Sequence, residues 1–182
     1  MARMEAGYHL ASRKHRKATG HIEALMYKIP HEFWFYFPQF FALIGTSDAI
    51  GVLRQLMEDA NSMVRVEAIL SAARYGRDDL LTKIRSHATH LHMDEQEAAA
   101  TALGMLKDSK SISQLQKLSF SSETNVQLAA LRSLYILGDT SALDKTVPFA
   151  NEGNLFAIEL LGDMPGGEEA LAQLLKSENI HA

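Results

Sequence analysis

The sequence has no cysteine among its 182 residues and only one tryptophan. The lack of cysteine excludes a disulfide framework, thiolate metal sites and thiol nucleophiles, although it does not distinguish the cytosol from the periplasm. A positive surplus is also missing, because the net charge is -4 and the isoelectric point is near 6.0. Proteins whose main partner is a phosphate backbone usually carry a basic excess. We therefore expect no nucleic acid partner.

Long apolar runs are missing as well. The first begins near Phe33, and the residues before it lack the apolar stretch and small residues of a secretory signal, so we expect a cytoplasmic protein. The most apolar segment, residues 25–45, is interrupted by charged residues and by Pro38, and its apolar core is shorter than the ~20 residues that a membrane span requires. We therefore expect no insertion into a membrane. The apolar fraction of 47% is nonetheless ample for one domain.

What the sequence does contain is a period of 31 residues, which separates Gly45, Gly76, Lys107 and Gly138. Three columns of apolar residues share this register: Phe41, Ala72, Leu103 and Leu134; Ile44, Tyr75, Leu106 and Leu137; and Ile50, Leu81, Ile112 and Leu143. A unit of this length cannot bury its apolar face alone and has to stack on its neighbours. The period therefore predicts a solenoid.

Each unit is predicted to contain two helices joined by a tight corner. The first apolar segment of the fourth unit has the spacing of a helix buried along one stripe: Val126, Ala130, Leu134 and Leu137. Gly138 then predicts the end of that helix, because glycine adopts a left-handed conformation without strain. Asp139 or Thr140 can cap the helix that follows, as Asp78 or Asp79 can in the second unit. In the first unit, an opening helix over residues 32–44 is expected to include Pro38.

These residues resemble the HEAT-like repeats first recognised in phycobilisome bilin lyases, whose pattern is approximately V-R-x-x-A-x-x-A-L-x-x-L-G-D-x-x-A-I-x-x-L. The matching segments are Val64-Arg65, Ala102-Leu103-Gly104, Leu137-Gly138-Asp139, Ala142-Leu143 and residues 45–50. The resemblance extends over residues 33–175 and implies an all-α fold, a right-handed α-α superhelix, without specifying an activity. We expect an N-terminal basic segment and capping helix over residues 1–30, followed by a solenoid of about five helix pairs over residues 31–182.

The resemblance also implies that the second helices line the concave face. With Ile50, Leu53 and Met57 buried, helical geometry turns the residues between them outward. The outward residues that we predict to bind a partner, here called the second-helix strip, are Arg54, Gln55, Lys83, Arg85, Ser86, Gln114, Lys117 and Lys145. This strip is mildly basic within an acidic chain, which favours an acidic segment of another protein as its partner. An ordinary solvated helix surface would have a similar composition.

More than half of the aromatic residues lie between Tyr27 and Phe41. They surround a helix rather than forming one stripe, so some of them must face something other than the second unit. The sequence favours a cap, in which the helix over residues 21–27 covers them. The alternative is an exposed patch, including Trp34 and Phe35, that binds a partner or a second copy of the chain.

The concentrated basic run is Arg13-Lys14-His15-Arg16-Lys17. Such a run can bind phosphate or an acidic partner. A basic run that lies close to a chain terminus and has little apolar periodicity is, however, more often simply solvated.

Three histidines, His87, His90 and His92, are followed closely by Asp94. Imidazole and carboxylate groups are metal ligands. The register, however, places His87 in a buried column and His90 on the surface, which separates them. We therefore predict neither a metal site nor a cofactor.

The sequence contains no P-loop, no H-E-x-x-H pair and no nucleophile elbow. We therefore predict a non-catalytic scaffold or adaptor that binds another protein. One alternative is an accessory subunit or chaperone-like component of an enzyme, since HEAT-like proteins include bilin lyase components and alkylpurine DNA glycosylases. A glycosylase would need tryptophans on a basic concave face, and Trp34 lies outside that face. The other alternative is a membrane-peripheral protein that uses the basic run and the aromatic segment.

Overall fold

The computed structural model describes residues 2–15 and 17–176, which lie in helices, turns and loops without any strand. The all-α fold is confirmed for these residues. The helices are α1 (Ala2–Ser12), α2 (Ala18–Met26), α3 (Pro38–Ile44), α4 (Ser47–Leu56), α5 (Ser62–Arg74), α6 (Leu81–His87), α7 (Met93–Met105), α8 (Ile112–Leu118), α9 (Thr124–Ile136), α10 (Ser141–Asn151), α11 (Leu155–Asp163) and α12 (Gly167–Leu174). Short 3-10 helices occupy His31–Tyr36, Asp78–Leu80 and Ser109–Ser111.

The first helices of successive units pack side by side. The most extensive contacts in the described structure are between α5 and α7 and between α7 and α9, whereas consecutive second helices make few contacts with one another. Small residues make this packing possible, and α7 buries Ala98, Ala99, Ala100, Ala102 and Gly104. The predicted column Phe41, Ala72, Leu103 and Leu134 is confirmed, because each of these residues is at most 1% exposed. The first helices therefore form a tightly packed layer that supports the second helices.

The contact between α7 and α9 depends on the missing side chain of Gly104. A Cβ atom at this position would lie 2.8 Å from the Cα atom of Ser133 and closer still to its side chain. The Ser133 hydroxyl is also held in place, because it donates a hydrogen bond of 2.7 Å to the carbonyl oxygen of Ala100. The two backbones are thus held together at a distance that only glycine allows.

Gly104→Ala is expected to lower the free energy of unfolding by about 1–3 kcal/mol, because the added methyl group forces the two helices apart. The matched control is Gly51→Ala in α4, where an added Cβ would meet no atom within 4 Å. That control should raise the free energy by roughly 0.5–1 kcal/mol, since alanine is the better helix former. Urea unfolding of both variants checks the prediction. A Gly104→Ala variant as stable as the wild type would mean that α7 and α9 lie farther apart.

The four corner positions all adopt the left-handed conformation that the period predicts. The φ angles are 65° at Gly45, 66° at Gly76, 100° at Gly138 and 52° at Lys107. At Lys107, the backbone N–H donates to the carbonyl oxygen of Gly104, and the next N–H donates to that of Leu103, both at 3.0 Å. These bonds satisfy the last carbonyl groups of α7, so the corner is kept even though lysine is strained there.

Lys107→Gly is expected to raise the free energy of unfolding by about 1 kcal/mol, because a residue with a Cβ atom is strained in the left-handed region. The reciprocal change, Gly76→Ala, introduces the same strain at the preceding corner and should lower the free energy by a similar amount. Thermal midpoints of the two variants measure both effects. A Lys107→Gly variant that melts below the wild type would contradict the assigned corner.

The opening helix predicted over residues 32–44 is wrong in its first half. Residues His31–Tyr36 form a 3-10 helix, and α3 begins at Pro38. Proline has no N–H to donate and is favoured in the first turn of an α-helix, where that N–H would have no partner, which explains why α3 starts there.

The predicted caps of the second helices are correct at only one corner. Asp139 accepts a hydrogen bond of 3.1 Å from the backbone N–H of Ser141 at the start of α10. In the second unit, Asp78 and Asp79 lie within a 3-10 helix instead, and no side-chain cap is formed at the start of α6. The 3-10 turn thus makes Leu80, which has no polar side chain, the residue that precedes α6.

Candidate partner-binding surface

The second-helix strip lies on the side of α4, α6, α8 and α10 that faces away from the first helices. Ile50, Leu53 and Met57 are at most 6% exposed, so the inward face of α4 is as predicted. The strip residues that are exposed are Arg54, Gln55, Ser86, Lys117 and Lys145, and those that are half-buried are Lys83, Arg85 and Gln114. The predicted outward residues are therefore not equally accessible.

Two cations of the strip form ion pairs with carboxylates of the same chain. Lys83 forms an ion pair with Glu58. Arg85 donates from Nε and Nη2 to the two carboxylate oxygens of Asp108, each at 2.7 Å. Neighbouring carboxylates therefore already pair with these two cations, and their role in binding a partner stays a prediction.

Three cations of the strip have no ion-pair partner within residues 2–15 and 17–176. They are Arg54 on α4, Lys117 on α8 and Lys145 on α10. An open depression lies beside the first of them, lined by Arg54, Asp79, Thr82, Lys83 and Ser86. Three separate second helices therefore each present an exposed positive charge.

Residues of the strip also join neighbouring units. The amide of Gln114 on α8 donates a hydrogen bond of 3.0 Å to the carbonyl oxygen of Arg85 on α6. Asp108 is buried and accepts from Ser111 as well as from Arg85. The hydrogen bonds from Arg85 are the main reason why the pKa of Asp108 is held below its ordinary value. Gln114, Arg85 and Asp108 therefore hold the second and third units together.

Asp108→Asn is expected to lower the free energy of unfolding by about 1–3 kcal/mol at neutral pH, since it removes a charged hydrogen-bond acceptor. Because the folded pKa lies below the unfolded one, the stabilisation by Asp108 is complete above about pH 4 and is lost as the pH falls through the folded pKa. The difference from the wild type should therefore shrink in acid. Urea unfolding at neutral and acid pH measures this difference, with Asp144→Asn, an exposed change on α10, as the control. A difference independent of pH would contradict the assigned pairing.

The aromatic segment divides into buried and exposed rings. Phe37, Phe40 and Phe41 are buried, and the α2 residues Ile22 and Met26 share their core. The rings left at the surface are Tyr27, Phe33 and Tyr36, which are 62%, 43% and 48% exposed. The buried rings agree with the predicted cap, whereas the binding of a partner at the exposed rings stays a prediction.

Trp34 and Phe35, which were predicted to bind a partner, are half-buried. The indole N–H of Trp34 donates a hydrogen bond of 3.1 Å to the carbonyl oxygen of Ile29. Its ring also makes edge contacts with Tyr27 and His31, with centroids 5.3 and 4.7 Å apart. Trp34 thus has a packing role in addition to its exposed edge.

Residues 95–121 match the family model described as PBS lyase HEAT-like repeat. Over these residues the chain is similar to a HEAT-like repeat. The match spans α7 from its third residue, the 3-10 helix that follows, and α8. A comparison with curated proteins gave no match.

This HEAT-like repeat contains a buried acidic residue, Glu95, whose side chain is 0% exposed. Arg65 of the preceding unit binds its Oε1 atom through Nε at 2.8 Å and through Nη2 at 2.6 Å. On the other side, Oε2 lies 2.9 Å from Nδ1 of His87 and 3.2 Å from Nδ1 of His90. One carboxylate therefore connects an arginine and two histidines across the boundary between two units.

The protonation of this network follows from burial and hydrogen bonding. Burial acts to raise the pKa of Glu95, but the hydrogen bonds from Arg65 and His87 outweigh it, so this pKa lies below its ordinary value. Burial lowers the pKa of His87, and its bond to Glu95 opposes that effect only in part. His87 is therefore neutral at pH 7, and its proton resides on Nδ1, where it is donated to the carboxylate.

The predicted difference in exposure between His87 and His90 is confirmed, but the inference that this difference keeps them apart is wrong. His87 is buried and His90 is exposed, as the register requires. They nevertheless meet at Glu95, which sequence reasoning missed. A signal was present, because Glu95 occupies the same column as Val64 and Val126, which are 0% and 1% exposed. A carboxylate in a buried column must have partners.

The basic run lies between α1 and α2. Arg13, Lys14, His15 and Lys17 are exposed, and Arg16 lies outside the described residues. No helix among the described residues combines the length and the apolar character that crossing a bilayer demands.

Proposed function

We propose that the protein is a non-catalytic scaffold in the cytoplasm that binds an acidic segment of another protein along the second-helix strip. One observation carries this proposal: Arg54, Lys117 and Lys145 are exposed on three separate helices without an ion-pair partner among the described residues. In a chain with a net charge of -4, such a line of free cations favours a complementary anionic ligand.

The packing of the helices supports this role. The first helices form the tightly packed layer, so the second helices are held by a rigid support, and their outer faces are free to make contacts. An extended partner can then lie across several helices, with a few side chains providing most of the affinity. Charges at the edge of such a contact act mainly on the association rate and its salt dependence.

The test is a triple charge reversal, Arg54→Glu, Lys117→Glu and Lys145→Glu, compared with the wild type in affinity capture from native cells. The variant should lose the captured partner, and raised salt should weaken capture by the wild type. The control reverses three exposed lysines outside the strip, Lys107, Lys110 and Lys176, which gives the same net charge. Both variants should retain the helical circular dichroism signal. Equal loss in the two variants would refute the strip as the binding surface.

The aromatic segment is the rival surface, and it is best tested at the exposed rings rather than at Trp34 and Phe35, whose changes would disturb packing. Phe33→Ser combined with Tyr36→Ser removes two exposed rings. If the partner survives the strip reversals and is lost with these two changes in a folded protein, the partner binds at the aromatic segment instead.

An accessory role beside an enzyme is a second candidate, and the match to a repeat named after a lyase favours it. Under this proposal the captured partner would itself have catalytic activity, and the strip variant would lower the activity of the mixture without abolishing that of the isolated partner. A partner with no catalytic activity would exclude this role.

A further inference from the structure

The loop between α6 and α7 brings three potential metal ligands together. His90 and His92 lie on this loop, and Glu95 lies in the first turn of α7. One ligand atom from each of these residues, two imidazole nitrogens and a carboxylate oxygen, fall within 4.8 Å of one another. Two imidazoles and a carboxylate form a donor set that zinc and related divalent ions prefer.

The carboxylate of Glu95 is oriented for such a role. Nε and Nη2 of Arg65 both bind Oε1, which leaves Oε2 directed towards the histidines. The Nδ1–H group of His87 donates to Oε2 at 2.9 Å and fixes it further. Hydrogen bonds of this kind hold metal-binding carboxylates in place. The carboxylate would therefore lose little conformational entropy on binding an ion.

The distances fit an ion of this class. Two ligand atoms of a tetrahedral zinc ion are separated by about 3.3 Å, given metal bonds of about 2.0–2.2 Å. The Nδ1 atom of His90 lies 3.2 Å from Oε2 of Glu95. The imidazole of His92, whose centroid is 5.3 Å from that of His90, is exposed and can rotate towards them. Only this last side chain needs to move.

The proposed site is open to solvent on the side of the two histidines. His90 remains 43% exposed and His92 is exposed as well, so an ion can reach Oε2 of Glu95 past them.

We propose that His90, His92 and Glu95 form a binding site for a divalent first-row transition metal ion, with zinc as the probe and water at the remaining position. The ion would lie between Nδ1 of His90 and Oε2 of Glu95. Because Glu95 is also bound by Arg65, the ion would strengthen the junction between the second and third units. This inference goes beyond the scaffold function and does not depend on it.

The test uses the full chain without a histidine tag, titrated with zinc chloride while calorimetry measures binding and thermal unfolding measures stability. Binding should saturate at a single site and raise the melting temperature, since an ion bound only by the folded state stabilises it. His90→Ala and His92→Ala should each weaken binding by roughly 10-fold or more. Cobalt(II) should give the visible absorption of a low-symmetry site with nitrogen and oxygen ligands.

His21→Ala is the matched control, because His21 is an exposed histidine on α2, far along the chain from the site. It should bind zinc as the wild type does. Glu95→Gln should also weaken zinc binding. If this variant fails to fold, the two histidine variants still decide the question, since both residues are exposed. The proposal is overturned if zinc leaves the wild type unchanged, or if the variant with both His90→Ala and His92→Ala is stabilised as much as the wild type.

Discussion

Leu103→Ala is expected to lower the free energy of unfolding by about 2–5 kcal/mol, because it leaves a cavity that the packed surroundings cannot fill. Leu103 is 0% exposed and lies in α7, between α5 and α9. The same column contains Ala72 and Leu134, so the cavity would open where successive units stack. The midpoint and slope of urea unfolding measure the effect.

The control for this variant is Ser113→Ala, an exposed change on α8 that should alter the free energy of unfolding by less than about 0.5 kcal/mol. Gln114 is less suitable, although it is next in sequence, because its side chain bonds to the carbonyl oxygen of Arg85. Similar unfolding midpoints for Leu103→Ala and Ser113→Ala would show that the register assigned to the repeat is wrong.

Arg65→Met is expected to have a comparable effect, a loss of about 3–5 kcal/mol, because it leaves the carboxylate of Glu95 buried without its cation. Arg65 also donates to the carbonyl oxygens of Asp59 and Ala60 at 2.7 and 3.0 Å, and these bonds would be lost as well. The measurement is again urea unfolding at neutral pH.

Arg74→Met, in the same helix α5, is the matched control. Arg74 pairs with Glu67 at 3.0 Å, but its side chain is 49% exposed, so this pair should contribute no more than about 1 kcal/mol. The double variant Arg65→Met with Glu95→Met should recover part of the loss, since no charge is then left buried. Equal losses in the free energy of unfolding for Arg65→Met and Arg74→Met would contradict the pairing of Arg65 with a buried Glu95.

Periodicity was sufficient to predict the corners of the repeat and its most deeply buried column. The column through Phe41 is buried throughout, and the spacing of Gly45, Gly76, Lys107 and Gly138 identifies the corners. The reason is that stacking constrains every unit in the same way, so four weak local signals support one another. Lys107 shows how strong the constraint is, because lysine keeps the corner conformation of glycine.

Side-chain partners could not be predicted in the same way. Helical geometry shows that Lys83 and Arg85 lie near the surface, but it does not show that Glu58 and Asp108 are within reach of them. The network around Glu95 joins residues of two helices and a loop, and its geometry depends on how the units are stacked. The 3-10 helix before α3 was missed because the repeat pattern places one continuous helix at the start of every unit.

The proposal that a partner lies along the second helices is tested most directly by amide hydrogen exchange on the captured complex. We expect exchange to slow on binding in peptides covering α4, α8 and α10, with Arg54, Lys117 and Lys145 at the centre of the protected regions, and to stay unchanged in the first helices, which are already buried. Protection confined to residues 27–37, with α4, α8 and α10 unaffected, would contradict the proposal and place the partner on the exposed aromatic rings.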